Sequence, residues 1–99
     1  MSDTYAFSKN NVDKAPNSHG VYALYRDGVL IYIGRASGNG VTIRSRLQCH
    51  LRGDEGPCTR AATHYWREQN AAPIAREAEL LDWHRKKFGA LPRCNERQP

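Results

Sequence analysis

The stretch that decides the fold is Gly20-Val-Tyr-Ala-Leu-Tyr-Arg-Asp-Gly-Val-Leu-Ile-Tyr-Ile-Gly34. Residues 20–25 and 29–33 are rich in aromatic and β-branched side chains, which favour strands. Between them lies Arg26-Asp27-Gly28, a turn sequence whose glycine tolerates positive φ. The pattern predicts a β-hairpin.

The length of the turn decides which side chains share a face. A two-residue Asp-Gly turn pairs Arg26 with Val29 and puts Tyr22 and Tyr32 on opposite faces. We expect a three-residue turn with Gly28 in the left-handed region, which pairs Tyr25 with Val29. This register sets Tyr22 directly opposite Tyr32. The residues expected on that face are Tyr22, Tyr32, Leu24 and Leu30.

Outside the hairpin, the apolar pattern predicts two helices and a third strand. Thr42 is a suitable N-cap, and the spacing predicts a helix from there to about Arg52. A strand is expected within 61–68. A longer helix is expected from about Pro73 to Phe88, ended by Gly89. The sequence thus predicts an α/β (α+β) domain with a small three-stranded antiparallel sheet flanked by helices. We expect one domain over 1–99, with its core at about 18–96 and an irregular polar lead-in at 1–17.

Composition favours a soluble globular protein with a polyanionic partner. The chain has 99 residues, of which 39% are hydrophobic and 25% charged. No apolar run is long enough to span a membrane, and Met1-Ser2-Asp3-Thr4 has no features of a secretion signal. We therefore expect a cytoplasmic protein without membrane association. A net charge of +5, carried mostly by arginine, suits the phosphates of a nucleic acid.

The cysteines are expected to be free buried thiols, because the sequence lacks an export signal that would send the protein to an oxidising compartment. They are Cys49, Cys58 and Cys94. Zinc binding by these thiols with His50 and His64 is a weak alternative, since no Cys-x-x-Cys pair is present. A thiol enzyme built on Cys49 and His50 is disfavoured, because adjacent helical residues point about 100° apart.

Several polar side chains lie where packing alone does not explain them. Glu77 borders the apolar stripe of the long helix, where a carboxylate has to be paired or bound to a metal. Arg46 and His50 share a face of the shorter helix and suit phosphate binding and proton transfer. Taken singly, each is more often a surface or packing residue than a functional one.

Five motifs follow one another along the chain. They are Gly20-Val21-Tyr22, then Tyr32-Ile33-Gly34, Ile43-Arg44-Ser45-Arg46-Leu47 with His50 after it, Glu77-Ala78-Glu79-Leu80-Leu81, and Pro92-Arg93-Cys94-Asn95. In this order they resemble the motifs of the GIY-YIG nucleases. Val21 replaces the family's usual isoleucine, and Cys94 its usual tyrosine. The resemblance covers about residues 20–95.

The resemblance implies a DNA endonuclease that hydrolyses phosphodiester bonds to a 5′-phosphate and a 3′-hydroxyl. One divalent cation, Mg²⁺ or Mn²⁺, would be held by Glu77, and such an ion needs few protein oxygens. It would neutralise charge on the scissile phosphate and stabilise the leaving oxygen. A catalytically silent nucleic-acid-binding module on the same scaffold is the alternative.

The resemblance also assigns roles to the remaining site residues. Tyr22 would be the general base or position the water, with nearby positive charge favouring its phenolate. Tyr32 would contact the phosphate or orient the water, and His50 would take the proton onward. Arg46 would clamp the phosphate. Asn95 would support the site from the C-terminal segment.

DNA is the expected partner, and basic side chains near the site are expected to bind its backbone. They are Arg35, Arg44, Arg46 and Arg52. Arg44 competes with Arg46 for the role of catalytic arginine. A domain this small has little surface for sequence recognition, so we expect nicking with structure preference or weak sequence specificity. A homodimer or a larger assembly would allow double-strand cuts.

Overall fold

A computed structural model of the protein describes residues 3–95. The elements in chain order are β1 (Tyr5–Ala6), α1 (Lys9–Val12), β2 (Gly20–Arg26), β3 (Val29–Ala36), α2 (Ile43–Arg52), α3 (Pro57–Arg60), β4 (His64–Gln69) and α4 (Pro73–Phe88). None of the helices in this part of the chain has the length and apolar character needed to cross a membrane.

Within residues 3–95 the sheet is antiparallel and has four strands, in the order β1-β4-β2-β3. The predicted α+β architecture is confirmed, whereas the prediction of three strands is wrong. The fourth strand, β1, has only two residues, and the polar sequence around it gives no alternating pattern. It is fixed by cross-strand contact, since the ring of Tyr5 stacks on that of Tyr65 at 5.5 Å.

Within the polar lead-in expected at 1–17, the described residues 3–17 contribute to the core and to two short elements, β1 and α1. Phe7, Val12 and Ala15 are buried in the main core. Ser8 caps α1 by accepting a hydrogen bond from the backbone N–H of Asn11. A side-chain bond from the Tyr65 hydroxyl to the Asn11 carbonyl, 3.0 Å long, ties this helix to β4.

The hairpin forms as predicted, but through the two-residue turn that we had not expected. Asp27 and Gly28 have φ values of 49° and 85°, the positive values that a type I′ turn requires. Arg26 therefore pairs with Val29. This turn alone would separate the two tyrosines, and a β-bulge prevents it.

The bulge shifts the register between Leu24 and Tyr25. Leu24 lies opposite Tyr32, whereas Tyr25 lies opposite Leu30, so Ile31 is the extra residue. Tyr22 therefore pairs with Gly34 instead of Tyr32. The tyrosines still share one face, as predicted, but Leu30 lies on the other.

The sheet separates two apolar cores. The first contains Tyr22 and Tyr32 and packs against Ile43 and Leu47 of α2. The second lies under α4, where Leu80 packs against Ile33 and Trp66.

The helices follow the sequence closely. Thr42 and Ser45 form a capping box at the start of α2, as the predicted N-cap requires. The bounds of α4 match the prediction, with Gly89 as its C-cap. The third predicted strand is displaced toward the C-terminus, to His64–Gln69, because residues 57–60 form the short helix α3.

Because Phe7 packs in the main core against Tyr65, we expect Phe7→Ala to lower the free energy of unfolding by about 3–5 kcal/mol. Urea denaturation measures the change. The exposed Val29 provides the control, and Val29→Ala should change stability by about 0.5 kcal/mol or less. Equal effects of the two substitutions would show that the N-terminal segment is not part of the core.

Candidate active site

Two tyrosines and a histidine form a compact aromatic cluster between the sheet and α2. The ring centroids lie 6.2 Å apart for Tyr22 and Tyr32, 5.6 Å for Tyr22 and His50, and 5.0 Å for Tyr32 and His50. The Tyr22 hydroxyl and His50 Nε2 are hydrogen-bonded at 2.8 Å. Residues far apart in sequence are therefore brought into direct contact.

Gly20 and Gly34, one on each strand of the hairpin, are needed for close approach. A Cβ atom at Gly34 would lie 2.5 Å from Cζ of Tyr22 and 2.7 Å from Cε2 of Tyr32. A Cβ atom at Gly20 would overlap the backbone carbonyl of Glu68 on the neighbouring strand and lie 2.7 Å from the Ile43 side chain. Any larger residue would push the tyrosines out of place or separate β2 from β4.

His50 is fully buried and hydrogen-bonded through both ring nitrogens. Its Nδ1 lies 2.8 Å from the Thr59 hydroxyl. Burial lowers the pKa of His50 to about 4, and the nearby charge of Arg46 acts in the same direction while Glu55 opposes it. The imidazole is therefore neutral at physiological pH.

The tyrosines are neutral as well. Burial raises the pKa of Tyr22, the neighbouring Tyr32 adds to the effect, and the charge of Arg46 only partly offsets it. Burial also raises the pKa of Tyr32, against the opposing effects of Arg46 and the Tyr22 hydroxyl. Burial thus outweighs the charge of Arg46 at Tyr22, and the hydroxyl is neutral at rest. A phenolate favoured by Arg46 together with a bound cation stays a prediction.

Arg46 is the arginine next to the cluster. Its guanidinium donates to Glu55 at 2.7 Å, and its charge affects the pKa values of both tyrosines. Arg44, the predicted competitor, points toward the N-terminal segment and donates to the Ala15 carbonyl at 2.8 Å. Arg46, and not Arg44, therefore lies beside the tyrosines.

Glu77 approaches the cluster from α4, on the other side of the sheet. Its carboxylate accepts a hydrogen bond from Arg35 of β3 at 2.7 Å, and its side chain is 16% exposed. Its charge raises the pKa of Tyr32, so the carboxylate is close enough to act electrostatically on the site. The Arg35 side chain is 44% exposed and also donates to the Ser37 hydroxyl at 3.3 Å.

The fit of a metal to this site depends on that single carboxylate. Among residues 3–95, no group of three or more His, Cys, Asp or Glu side chains is arranged to hold a metal ion. Magnesium commonly keeps several waters and uses one or two carboxylates together with substrate phosphates. Glu77 fits this kind of site once Arg35 turns away, and it does not fit a closed all-protein cage.

Asn95 binds the backbone of the hairpin. Its side-chain oxygen accepts from the Ile33 N–H at 2.9 Å, and its amide nitrogen donates to the Ile33 carbonyl at 2.9 Å. Because β3 is an edge strand, this side chain completes its hydrogen bonding. A supporting role of Asn95 in the reaction stays a prediction.

The expectation of three free thiols is wrong. Cys58 and Cys94 form a disulfide with their Cα atoms 5.7 Å apart, and only Cys49 is free. The pairing arises because the C-terminal segment runs along β3, where Cys94 N–H donates to the Ile31 carbonyl. Two of the thiols proposed for a zinc module are thus used in a covalent bond.

Sequence analysis missed two residues that hold the site together. Thr59 and Glu55 bind His50 and Arg46, respectively, but neither belongs to a periodic pattern. Gly56-Pro57 was the available indication that a helix starts before Thr59. Arg52, predicted to bind DNA, is exposed and paired with Asp54 at 2.9 Å, away from the contacts described above.

Gly34→Ala tests whether the packing of Tyr22 and Tyr32 requires a residue without a side chain at position 34. We expect a loss of about 1–3 kcal/mol in the free energy of unfolding, together with altered near-ultraviolet circular dichroism, because the added Cβ displaces both rings. The control is Gly38→Ala, where a Cβ meets nothing within 4 Å, although its φ of +94° is also unfavourable for alanine. An unchanged aromatic spectrum in Gly34→Ala would contradict the packing described here.

The depressed pKa of His50 makes stability depend on pH. Its ordinary value of 6.5 applies to the unfolded chain, and its folded value is about 4. As the pH falls, His50 of the unfolded state therefore takes up a proton before His50 of the folded state does. The free energy of unfolding is highest above pH 6.5 and falls as the pH approaches 4. At about 1.4 kcal/mol per pH unit, roughly 2 kcal/mol is lost between pH 6.5 and 5.

Urea denaturation of wild type, His50→Gln and His64→Gln over this pH range measures the effect. His64 is exposed, so its variant should follow wild type, whereas His50→Gln should start less stable and decline less. The carboxylates Asp13 and Glu68, whose pKa values are lowered, act alike in all three proteins and at lower pH. Parallel curves for wild type and His50→Gln would disprove the assignment.

Comparisons of the chain with protein families, curated proteins and solved structures return no match. Similarity to known proteins therefore adds nothing to the site, and its chemistry has to be argued from the geometry of the described residues.

Proposed function

We propose that the protein is a divalent-metal-dependent DNA endonuclease that hydrolyses phosphodiester bonds to a 5′-phosphate and a 3′-hydroxyl. The observation that carries this proposal is the convergence of Tyr22, Tyr32, Arg46 and His50 from three separate elements. These are the residues that the GIY-YIG resemblance singles out. Hydrophobic patterning alone does not require them to meet.

The proposed roles follow from how deeply each side chain lies. Tyr22 and His50 are 0% exposed, whereas Tyr32 is 9% exposed. The side chains of Arg46 and Glu77 are 28% and 16% exposed. Substrate would therefore meet Tyr32, Arg46 and Glu77 first, and Tyr22 and His50 would lie behind them.

A proton path fits this order of burial. A neutral tyrosine accepts a proton on its oxygen as its own hydrogen moves on, so no phenolate has to exist at rest. The path would run from the attacking water through Tyr32 and Tyr22 to Nε2 of His50. One O–H bond of the water breaks, its oxygen attacks phosphorus, and an N–H bond forms on His50. The bond between phosphorus and the 3′-oxygen breaks in the same reaction, and the leaving 3′-oxygen would take a proton from solvent water to become the 3′-hydroxyl.

The energetic demand of this path is substantial but not prohibitive. With a pKa of about 4, His50 accepts a proton at a cost roughly 3 kcal/mol higher than an ordinary imidazole. The negative charge that develops on the phosphate beside it would offset part of that cost. Arg46 would either release Glu55 or bind Glu55 and a phosphate oxygen together, since a guanidinium has enough N–H donors for both.

Glu77 would hold the divalent cation, which would supply neutralisation of charge at the scissile phosphate and at the leaving oxygen. Arg35 must then release the carboxylate, and its exposed guanidinium is positioned to take a neighbouring phosphate. One site of this kind cuts one strand, so nicking is the expected basic reaction, with weak sequence specificity or structure preference. A double-strand cut requires a second protomer or a second visit.

A catalytically silent nucleic-acid-binding module is the second candidate. The ion pairs Arg35–Glu77 and Arg46–Glu55 favour it, since each predicted catalytic charge already has an internal partner. A net charge of +5 serves binding as well as cleavage. The two functions differ in whether bound DNA is cut when a metal is supplied.

Nicking of supercoiled plasmid with Mg²⁺, Mn²⁺ or EDTA tests the proposal, with variants matched in pairs. We expect Glu77→Gln to abolish metal-dependent cleavage and Glu79→Gln, two residues away on the exposed side of α4, to retain it. Arg46→Ala should slow cleavage about 10²–10³-fold, and Arg44→Ala far less. Tyr32→Phe and Tyr22→Phe should each slow it about 10²–10⁴-fold.

The same preparations are tested for DNA binding by fluorescence anisotropy. Binding without cleavage on plasmid, nicked and branched substrates would identify the silent module. Equal cleavage by wild type and Glu77→Gln would refute the metal assignment or reveal a contaminating nuclease.

A further inference from the structure

Two short segments support the tyrosine–histidine cluster, one through a side chain bonded to His50 and the other through a side chain bonded to the strand that carries Tyr32. One is the four-residue helix α3, which supplies Thr59. The other is the C-terminal segment that follows α4 and supplies Asn95. Neither side chain touches the surface where substrate would bind, because Thr59 is 1% exposed and Asn95 faces the backbone of β3.

Thr59 and Tyr22 bind opposite nitrogens of the His50 ring. The Thr59 hydroxyl lies 2.8 Å from Nδ1, and the Tyr22 hydroxyl lies 2.8 Å from Nε2. If the Thr59 oxygen accepts a hydrogen bond from Nδ1–H, Nε2 carries no hydrogen and accepts one from Tyr22. Only this tautomer leaves Nε2 able to receive a proton in the proposed reaction.

Asn95 fixes the position of the tyrosine-bearing strand. Its side-chain amide binds both backbone groups of Ile33, between Tyr32 and Gly34. The neighbouring Cys94 adds a backbone bond of 2.9 Å to the carbonyl of Ile31, the bulged residue. Together these contacts fix the edge strand at the point where the bulge turns Tyr32 toward His50.

The Cys58–Cys94 disulfide joins these two supports covalently. Cys58 is next to Thr59 in the chain, and Cys94 is next to Asn95. The bond links positions 36 residues apart. Helix α3 has only a single turn, too short to be stable on its own, so its position depends on such anchors.

We propose that Thr59 is the positioning residue for the His50–Tyr22 pair and that the Cys58–Cys94 disulfide, by joining Thr59 to the Asn95 contact, makes the site dependent on thiol redox state. The effect on cleavage rests on the function proposed above, whereas the effect on His50 does not.

The redox step balances with a dithiol as the reductant. A thiolate of the dithiol attacks one sulfur of the Cys58–Cys94 bond and forms a mixed disulfide, and its second thiol then closes a ring. The protein gains two electrons and two protons as two thiols. The dithiol becomes a cyclic disulfide. The segments that carry Thr59 and Asn95 are then held only by non-covalent contacts.

The first test observes His50 directly and needs no enzymatic activity. Nitrogen-15 NMR of the imidazole distinguishes a protonated Nδ1 from a protonated Nε2. In the oxidised protein we expect Nδ1–H with slow exchange. Thr59→Ser should keep this tautomer and Thr59→Val should lose it. Dithiothreitol, or the double variant Cys58→Ser with Cys94→Ser, should accelerate exchange of the Nδ1 proton.

The matched control is Cys49→Ser, which removes the free thiol and leaves the disulfide intact. It should behave as the wild type in both redox states. Nε2–H in the oxidised protein would overturn the role of Thr59. A His50 spectrum unchanged by reduction would overturn the role of the disulfide, whether or not the protein cuts DNA.

The second test uses single-turnover cleavage of a labelled duplex with Mg²⁺. Thr59→Val should lower the cleavage rate about 10²-fold with little change in DNA affinity, and Thr59→Ser should restore most of it. Reduction should slow wild type and Cys49→Ser but not further slow the double serine variant. Cleavage that survives Thr59→Val unchanged would refute the inference, whereas an inactive wild type with the predicted tautomer would refute only the proposed reaction.

Discussion

The site depends on one buried interaction, the 2.8 Å hydrogen bond between the Tyr22 hydroxyl and Nε2 of His50. Both groups are removed from water, so each has to find its partner within the protein or the fold loses stability. This requirement explains features that otherwise look unrelated. Gly34 has no side chain because the Tyr22 ring occupies the space, and the bulge at Ile31 turns Tyr32 to the same face. Thr59 satisfies the other nitrogen of the ring.

The protein holds its charges and its neutral proton carriers in separate layers. The neutral groups, Tyr22 and His50, are wholly buried, where desolvation keeps each of them uncharged. The charged groups lie closer to the surface in the ion pairs Arg46–Glu55 and Arg35–Glu77. At rest, no predicted catalytic charge among residues 3–95 is left without a partner. A phosphate and a cation would therefore have to displace internal partners, and the proposed reaction is coupled to that exchange.

The predictable part of the fold is the part encoded by local patterns. The bounds of α4 and the N-cap at Thr42 follow from capping residues and helical spacing, and the two strands of the hairpin follow from their β-branched and aromatic content. The register of the hairpin could not be predicted in this way. A β-bulge compensates for the shorter turn, and nothing in the sequence around Ile31 marks that residue as the bulged one. Thr59 and Cys94 reach the site through contacts distant in sequence, which no local pattern encodes. Strand β1 was missed because Tyr5 is held by stacking across strands.

The central proposal is that the buried Tyr22–Tyr32–His50 cluster, together with the charged side chains of Arg46 and Glu77 nearer the surface, hydrolyses a phosphodiester bond. The most direct test identifies the ends that the wild-type protein leaves on end-labelled DNA, offered as duplex, nicked duplex and branched junction with Mg²⁺ or Mn²⁺. The account predicts cleavage that EDTA abolishes, with a 5′-phosphate that a ligase can join and a free 3′-hydroxyl. Products carrying a 3′-phosphate, or no cleavage of any substrate that the protein binds, would contradict it.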